Sequence, residues 1–491
     1  MMAEQSWLDR LFQRPWGLLV LALYFATVAG LQWVASPTAE LDQAGQLVLS
    51  QRLNWGYTNQ PPLFTWLTWS LFQLTGPSLL SLFVIKVGLL TGLMAAVYGV
   101  CQQLGFHARQ RQLALSGMLL LPTVIWESQR DLTHSLSATT FAATTLCCGL
   151  WAVRRGGWWR YALLGVAAAA AMLSKHNSVV FLAGLLLAVL VTPSWRTRLD
   201  WTGVVLAGVV ALLLFAPHAL WLREHAQVLD QTLNKLDHGQ SGVKRYVRLF
   251  REMAEGLLSF VLPWLLLALP MWWRARGRIQ TQHIMVRLVA SVLFVLVLFV
   301  VAIGADSFKG RWLFPLMFFL PISLAAALPD VSARAARVMG VAALGMALLC
   351  GVVMPARLVW AMPGAAQTRQ NLPMQAIAQQ IEQAAGPMPA AVLVSNHLIG
   401  GNMRLWWPTS VAVLTPHAPW SEPLPSTVLV VATEADLRDP DVQAWLLRVT
   451  GVASTDMAWQ PAVSAAMLHR PHRKPFVVQW ARVAVREGVA P

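Results

Sequence analysis

The residues best placed to do chemistry are Glu40 and Asp42, in Glu40-Leu41-Asp42-Gln43-Ala44, a few positions past the first long apolar run. A carboxylate there meets water on one side and lipid headgroups on the other, so it can act as a general base on a membrane-anchored substrate. In a glycosyl transfer with inversion, such a base removes the proton of the acceptor hydroxyl while the anomeric carbon gains positive charge. The plainer alternative is a pair of solvated loop acids. Tyr57 and Gln60 follow, ahead of Pro61-Pro62. Consecutive prolines fix φ and disfavour helix before them, so they set residues 57–60 in an extended path along the membrane face.

A second acidic group, Glu127 and Asp131, falls in Trp126-Glu127-Ser128-Gln129-Arg130-Asp131-Leu132-Thr133-His134. With Asp42, Asp131 could hold a divalent cation through hard oxygen ligands, with His134 as a further ligand. The alternative for Asp131 is an N-cap of the helix that follows. Lys175, in Ser174-Lys175-His176-Asn177, is the lone charge between two apolar runs. An ammonium drawn into the bilayer there costs roughly 2.5 to 3.5 kcal/mol and calls for an anionic partner such as a lipid phosphate, or else snorkels to the interface. Lys309 and Arg311 flank a glycine and add two more cations for such a phosphate. His176 joins the candidate set beside Lys175. His218, after Pro217, reads as a packing or capping residue unless something else is brought to it, and Lys86 is a charge inside an apolar run with no partner evident in the sequence.

These side chains have to be positioned by membrane helices. Hydrophobic residues make up 56% of the 491 and charged residues 12%, about half the usual charged share. About eleven apolar runs have lengths near what a helix needs to cross a bilayer: residues 15–35, 78–100, 111–126, 132–152, 158–173, 177–192, 201–221, 256–273, 284–303, 312–328 and 336–354. The fifth and sixth are short enough to be broken or tilted. The formal charge of +15 does not imply nucleic acid, because the basic residues alternate with the runs. With the N-terminus inside, arginines such as Arg14, Arg109, Arg154, Arg196, Arg274 and Arg334 fall on the cytoplasmic side, while Glu40, Asp42, Glu127, Asp131 and Asp306 fall outside. The first run is full length without a small-residue cleavage site, and reads as a retained anchor. Cys101, Cys147, Cys148 and Cys350 lie in or beside apolar runs and imply no disulfide framework.

The expected fold class is therefore mainly α, a polytopic membrane protein with a small C-terminal α/β domain. Residues 1–354 form the membrane domain, with outside segments at 36–77 and 222–255. In the first segment, Leu63, Trp66, Leu67, Leu71 and Leu74 recur at helical spacing and predict an interfacial helix. Residues 355–491 form a soluble α/β domain with strands at 391–394, 411–414 and 428–431 and helices at 374–385 and 439–449. An odd number of spans starting inside delivers this domain outside.

Asp42-x-Ala44, Leu53-x-Trp55-Gly56-Tyr57 and Pro61-Pro62-Leu63 with Trp66-Leu67 resemble the first outside loop of bacterial GT-C glycosyltransferases, the membrane enzymes related to protein O-mannosyltransferases and the lipid A aminoarabinose transferase. Asp131-Leu132, Leu173-Ser174-Lys175, Pro217-His218 with Trp221, and Gly310-Arg311 with Pro315 follow in the family's order. The resemblance covers residues 15–330. It implies a GT-C fold, a polyprenyl-phosphate-linked sugar as donor, a periplasmic acceptor that is a glycolipid, lipid A, glycan or protein, a place in the bacterial inner membrane, and a catalytic role for Asp42. One departure is Gln60, where relatives often carry a basic residue or histidine before the proline pair. A neutral amide can hydrogen-bond a phosphate or sugar but cannot offset charge.

The expected arrangement gathers Asp42, Lys175 and Arg311 around one cavity open to the outer leaflet, with Tyr57 and Gln60 lining the sugar pocket. A transporter or lipid flippase is the alternative function, although the paired repeats common in transporters are not seen. An assembly factor using the α/β domain as a docking module is a third.

Overall fold

The computed structural model describes residues 11–486 apart from 13, 58–59, 229–241, 329, 361–367, 417 and 419. Part of the expected outside segment at 222–255 lies outside the described residues. The chain forms two compact units, one made of Met1–Thr27, Asn59–Phe64 and Lys86–Val352, the other of Val28–Thr58, Thr65–Ile85 and Val353–Pro491.

Helices in chain order are α1 (Trp16–Ala35), α2 (Leu41–Leu49), α3 (Leu63–Thr75), α4 (Leu79–Gln103), α5 (Ala108–Met118), α6 (Thr133–Arg155), α7 (Trp158–Ser174), α8 (Ser178–Leu190), α9 (Trp201–Glu224), α10 (Val243–Ala275), α11 (Ile284–Ala302) and α12 (Ala333–Val359). Among the described residues, seven of them are long and apolar enough to cross a membrane: α1, α4, α6, α9, α10, α11 and α12. An eighth span forms if Gly310–Met317 and Leu320–Ala327, bent by 49° at their junction, count as one. The remaining apolar runs of the sequence are shorter helices. α7 has 17 residues and α8 has 13, while the run at 111–126 is split between α5 and a π-helical turn at Thr123–Glu127. Pro122 stands at that break, where the chain leaves regular α geometry. The helix predicted from Leu63 onward is α3.

The α/β part continues with α13 (Met374–Ala385), β1 (Ala391–Val394), α14 (His397–Met403), β2 (Ala412–Leu414), β3 (Thr427–Ala432), α15 (Pro440–Thr450), β4 (Val463–Ala465) and β5 (Phe476–Ala484). The sheet order is β2-β1-β3-β5-β4. β1 runs parallel to both β2 and β3, and β5 is antiparallel to β3 and β4. Alternation along the strands sends Val392, Val394, Leu429 and Val431 to one core with α13 and α14, and Leu393, Val428 and Val430 to the other with α15. Both faces are covered, so β1 is buried throughout, as expected for a central parallel strand.

The same unit contains α2. Ser36 Oγ donates to Gln370 O at 2.6 Å and Thr38 Oγ1 to Leu372 O at 2.8 Å, which ties the chain just before α2 to the entry of the α/β domain.

Candidate active site

Asp42 sits in the first turn of α2. Its start is set by a capping box, in which Gln43 Oε1 accepts the Glu40 N–H at 3.0 Å. Glu40 is the N-cap, buried, with Arg357 Nη2 at 3.8 Å from its carboxylate. The Glu40-to-Gln43 spacing and the apolar Leu41, Ala44, Leu47 and Val48 were the signals that could have located α2 in the sequence.

Tyr57 is buried, donates its hydroxyl to Arg52 O at 2.8 Å and accepts the Asn54 N–H at 3.0 Å. Burial pushes its phenol up to about 12, so it stays neutral and closes the 52–57 loop. Trp66 Nε1 donates to Asn54 O at 2.7 Å and its ring meets Trp55 edge-on, fixing the same loop against α3. Glu40, Asp42 and Tyr57 all belong to the second unit, and the other candidates to the first.

In the first unit the candidates are joined in a chain of contacts. The Glu127 carboxylate pairs with Arg130 at 3.0 Å. Lys86, buried inside α4, donates its ammonium to Gln129 O and Arg130 O, each at 3.2 Å, so the charge that looked unexplained caps the end of a short helical turn. Asp131 is not the N-cap of α6. That place belongs to Leu132, which has φ 56° in the left-handed region. A branched residue held there costs roughly 1–2 kcal/mol and marks a backbone that its surroundings force into place.

His134 lies in the first turn of α6, its ring 5.7 Å from that of Phe64, just after the proline pair and Gln60. One residue on, Ser135 Oγ accepts a 2.8 Å hydrogen bond from Lys175 Nζ. Lys175, His176 and Asn177 form the turn between α7 and α8. His176 Nε2 is 3.1 Å from Nε2 of His218, which is fully buried in α9. Burial first, then His218 and His134, pulls the His176 imidazole down to about 4. His176 is therefore a neutral hydrogen-bonding group at neutral pH. From the same turn, Asn177 Nδ2 donates to Trp312 O at 3.1 Å, which connects it to the Lys309–Trp312 segment.

That segment is anchored to α10. Phe308 N–H donates to Glu252 Oε2 at 2.7 Å, and the Gly310 and Gly256 backbones touch so closely that a Cβ on Gly256 would lie 2.9 Å from Gly310 Cα. Lys309 and Arg311 project from this fixed base, exposed, and neither takes an ion-pair partner among the described residues. Fixed, solvent-facing cations of this kind suit a phosphate or carboxylate ligand. Ser135 and Asn177, which orient Lys175 and the 309–312 segment, are tertiary partners that nothing in the sequence picks out.

Comparison with known proteins bears on this arrangement. A family model described as dolichyl-phosphate-mannose-protein mannosyltransferase matches residues 59–221. Across 469 residues the chain is 32% identical to the lipopolysaccharide core galacturonosyltransferase RgtA of Rhizobium johnstonii, covering 89% of this chain and 91% of that relative. The chain belongs to the GT-C glycosyltransferases. A second relative, the lipopolysaccharide core galacturonosyltransferase RgtB of the same organism, is 28% identical over 467 residues, with 90% and 92% of the two chains covered. The enzyme also shares its fold with ArnT from Cupriavidus metallidurans. It matches the undecaprenyl phosphate-bound structure with a TM-score of 0.61 at 15% identity over 97% of this chain and 100% of that one, and the apo structure with 0.60 at 15% over 95% and 98%. As a multi-pass membrane glycosyltransferase, the protein has the polytopic fold with a C-terminal α/β region that its sequence predicted.

Proposed function

We propose that this glycosyltransferase moves a sugar from a polyprenyl-phosphate donor to a periplasmic acceptor, with inversion, at the bacterial inner membrane. Asp42 is the general base that takes the acceptor hydroxyl proton as the anomeric carbon opens. The lipid phosphate leaves without a general acid, so Lys175, Lys309 and Arg311 supply the main stabilisation of leaving-group charge. His176, uncharged at neutral pH, supplies a hydrogen bond with His218 beside it, and Gln60 does the same at the sugar. Tyr57, its hydroxyl committed to Arg52 and Asn54, shapes the sugar pocket by holding the 52–57 loop. The soluble α/β domain at 355–491 is read as periplasmic.

The observation that carries this reading is the anchoring of Lys309 and Arg311, with no acidic partner among the described residues, on a segment hydrogen-bonded to the Lys175 turn. The undecaprenyl phosphate bound by a protein of the same fold supports the donor class. Both relatives act as lipopolysaccharide core galacturonosyltransferases, which supports galacturonic acid as the sugar and the lipopolysaccharide core as the acceptor. A uronic acid donor brings a carboxylate as well as a phosphate, and three cations on connected segments suit two anionic groups.

Among the described residues, no three His, Cys, Asp or Glu side chains gather as a metal site. A divalent cation proposed at Asp42 or Asp131 would therefore complete its shell with substrate phosphate and water, as Mg²⁺ commonly does. Transfer measured with and without EDTA tests it: loss restored by Mg²⁺ or Mn²⁺ supports the cation, and undiminished transfer removes it.

The reading as a whole is tested with purified enzyme in vesicles, polyprenyl-phosphate-linked galacturonic acid and truncated lipopolysaccharide core. Mass spectrometry should show the acceptor gaining one galacturonosyl unit. No product from this donor, with turnover of another lipid-linked sugar, would overturn the sugar assignment.

A further inference from the structure

The helix that carries Asp42 is gripped by α14 of the α/β domain, and the grip acts on main-chain atoms. Asn402 Oδ1 accepts the Ala39 N–H at 2.7 Å while its Nδ2 donates to Ala39 O at 3.3 Å, so one carboxamide takes both polar groups of the residue before the N-cap. Gly401 faces Ala44 so closely that a Cβ there would lie 2.0 Å from Ala44 O. Arg404 donates to Leu47 O, near the other end of α2. Beyond it, Gln51 pairs with the backbone of β2, accepting from Val413 N at 2.8 Å and donating to Val413 O at 2.7 Å.

α14 is itself held. Its N-cap Asn396 accepts the Ile399 N–H at 3.0 Å and donates to Asp436 Oδ2 at 2.8 Å, and the same carboxylate oxygen accepts from Ser395 Oγ at 2.6 Å. Asn402 is fully buried, with Leu398 O as a further acceptor at 2.8 Å. Apolar packing alone would hold α2 without specifying its rotation. Contacts to the backbone at Ala39, Ala44 and Leu47 fix rotation and register together, and those set the direction of the Asp42 side chain.

We infer that α14 is a positioning element for catalysis, with Gly401 and Asn402 acting through the helix that carries Asp42, so that the C-terminal domain is a scaffold of the transfer reaction. This rests on Asp42 being the base, as proposed above. Because a misplacement of about 1 Å can cost a catalytic group about a hundredfold in rate, backbone contacts at this spacing have leverage on turnover without touching substrate.

The test uses the full-length enzyme in nanodiscs, with kcat, donor KM and unfolding temperature measured for Asn402→Ala and Gly401→Ala. Asn402→Ala should lower kcat about tenfold or more while leaving donor KM within about twofold. In an Asp42→Glu background the same substitution should cost distinctly less, because both changes act on one distance. Asn402→Asp, which keeps the acceptor for Ala39 N–H, should recover part of kcat, and it is read in place of the alanine if that variant unfolds early. Unchanged kcat in both Asn402→Ala and Gly401→Ala, or losses that simply multiply with Asp42→Glu, would overturn the inference. Full turnover in Asp42→Asn is a different result and removes the base itself.

Discussion

His176 and His218 face each other through their Nε2 atoms at 3.1 Å, with ring planes 10° apart. Two imidazolium groups cannot share that geometry, since one nitrogen must accept. Unfolded, the His176 ring takes a proton near 6.5; folded, only near about 4. The unfolded state binds more protons across that window, so stability is present above pH 6.5 and drains away as pH falls toward 4, by up to about 1.4 kcal/mol per pH unit for one proton. Unfolding temperatures from pH 7.5 to 4.5 should show this slope, and His176→Asn should flatten it. An unaltered slope in the variant would place the effect elsewhere.

Lys309 and Arg311 should matter to different degrees. Arg311→Ala is expected to lower kcat/KM for the lipid-linked donor about a hundredfold, within the range for removing one fixed donor to a developing anion. Arg311→Lys should restore part of it, and Lys309→Ala should act mainly on donor KM. Steady-state kinetics at low and high salt measures this. Insensitivity of both kcat and KM to both substitutions would remove the phosphate-binding role.

Lys86 gives a prediction about stability instead. Lys86→Met leaves the buried carbonyl of Gln129 and the half-buried one of Arg130 without their 3.2 Å donor, at a cost of about 1–3 kcal/mol. A lower unfolding temperature in detergent is expected, and an unchanged one would show that other donors reach those carbonyls.

The long spans were legible because twenty apolar residues in a row have few other uses, and α1, α4, α9 and α11 fall where the sequence placed them. The shorter elements were not, because their breaks depend on local geometry. The π-helical turn at Thr123–Glu127 and the bend after Met317 interrupt apolar runs that stay apolar across the break, so hydropathy passes over them even though Pro122 and Pro321 stand there. α2 is short, and the partners that bury it, Gly401 and Asn402, lie more than 350 positions away, so its amphipathic spacing has no local partner in the sequence. β5 is hard to read for another reason: Gln479 and Arg482 interrupt an otherwise apolar stretch. For the site, residue types were readable from charge placement, whereas their partners, Ser135 on Lys175, His218 on His176 and Trp312 on Asn177, are products of folding.

The most direct test of the whole account is the rate of sugar transfer by Asp42→Asn in vesicles supplied with the lipid-linked donor, beside its unfolding temperature and donor affinity. The amide keeps the shape of the carboxylate and loses its basicity. Transfer should fall by at least about a hundredfold while folding and donor binding persist. Turnover at the wild-type rate would contradict a catalytic base at Asp42 and the account built on it.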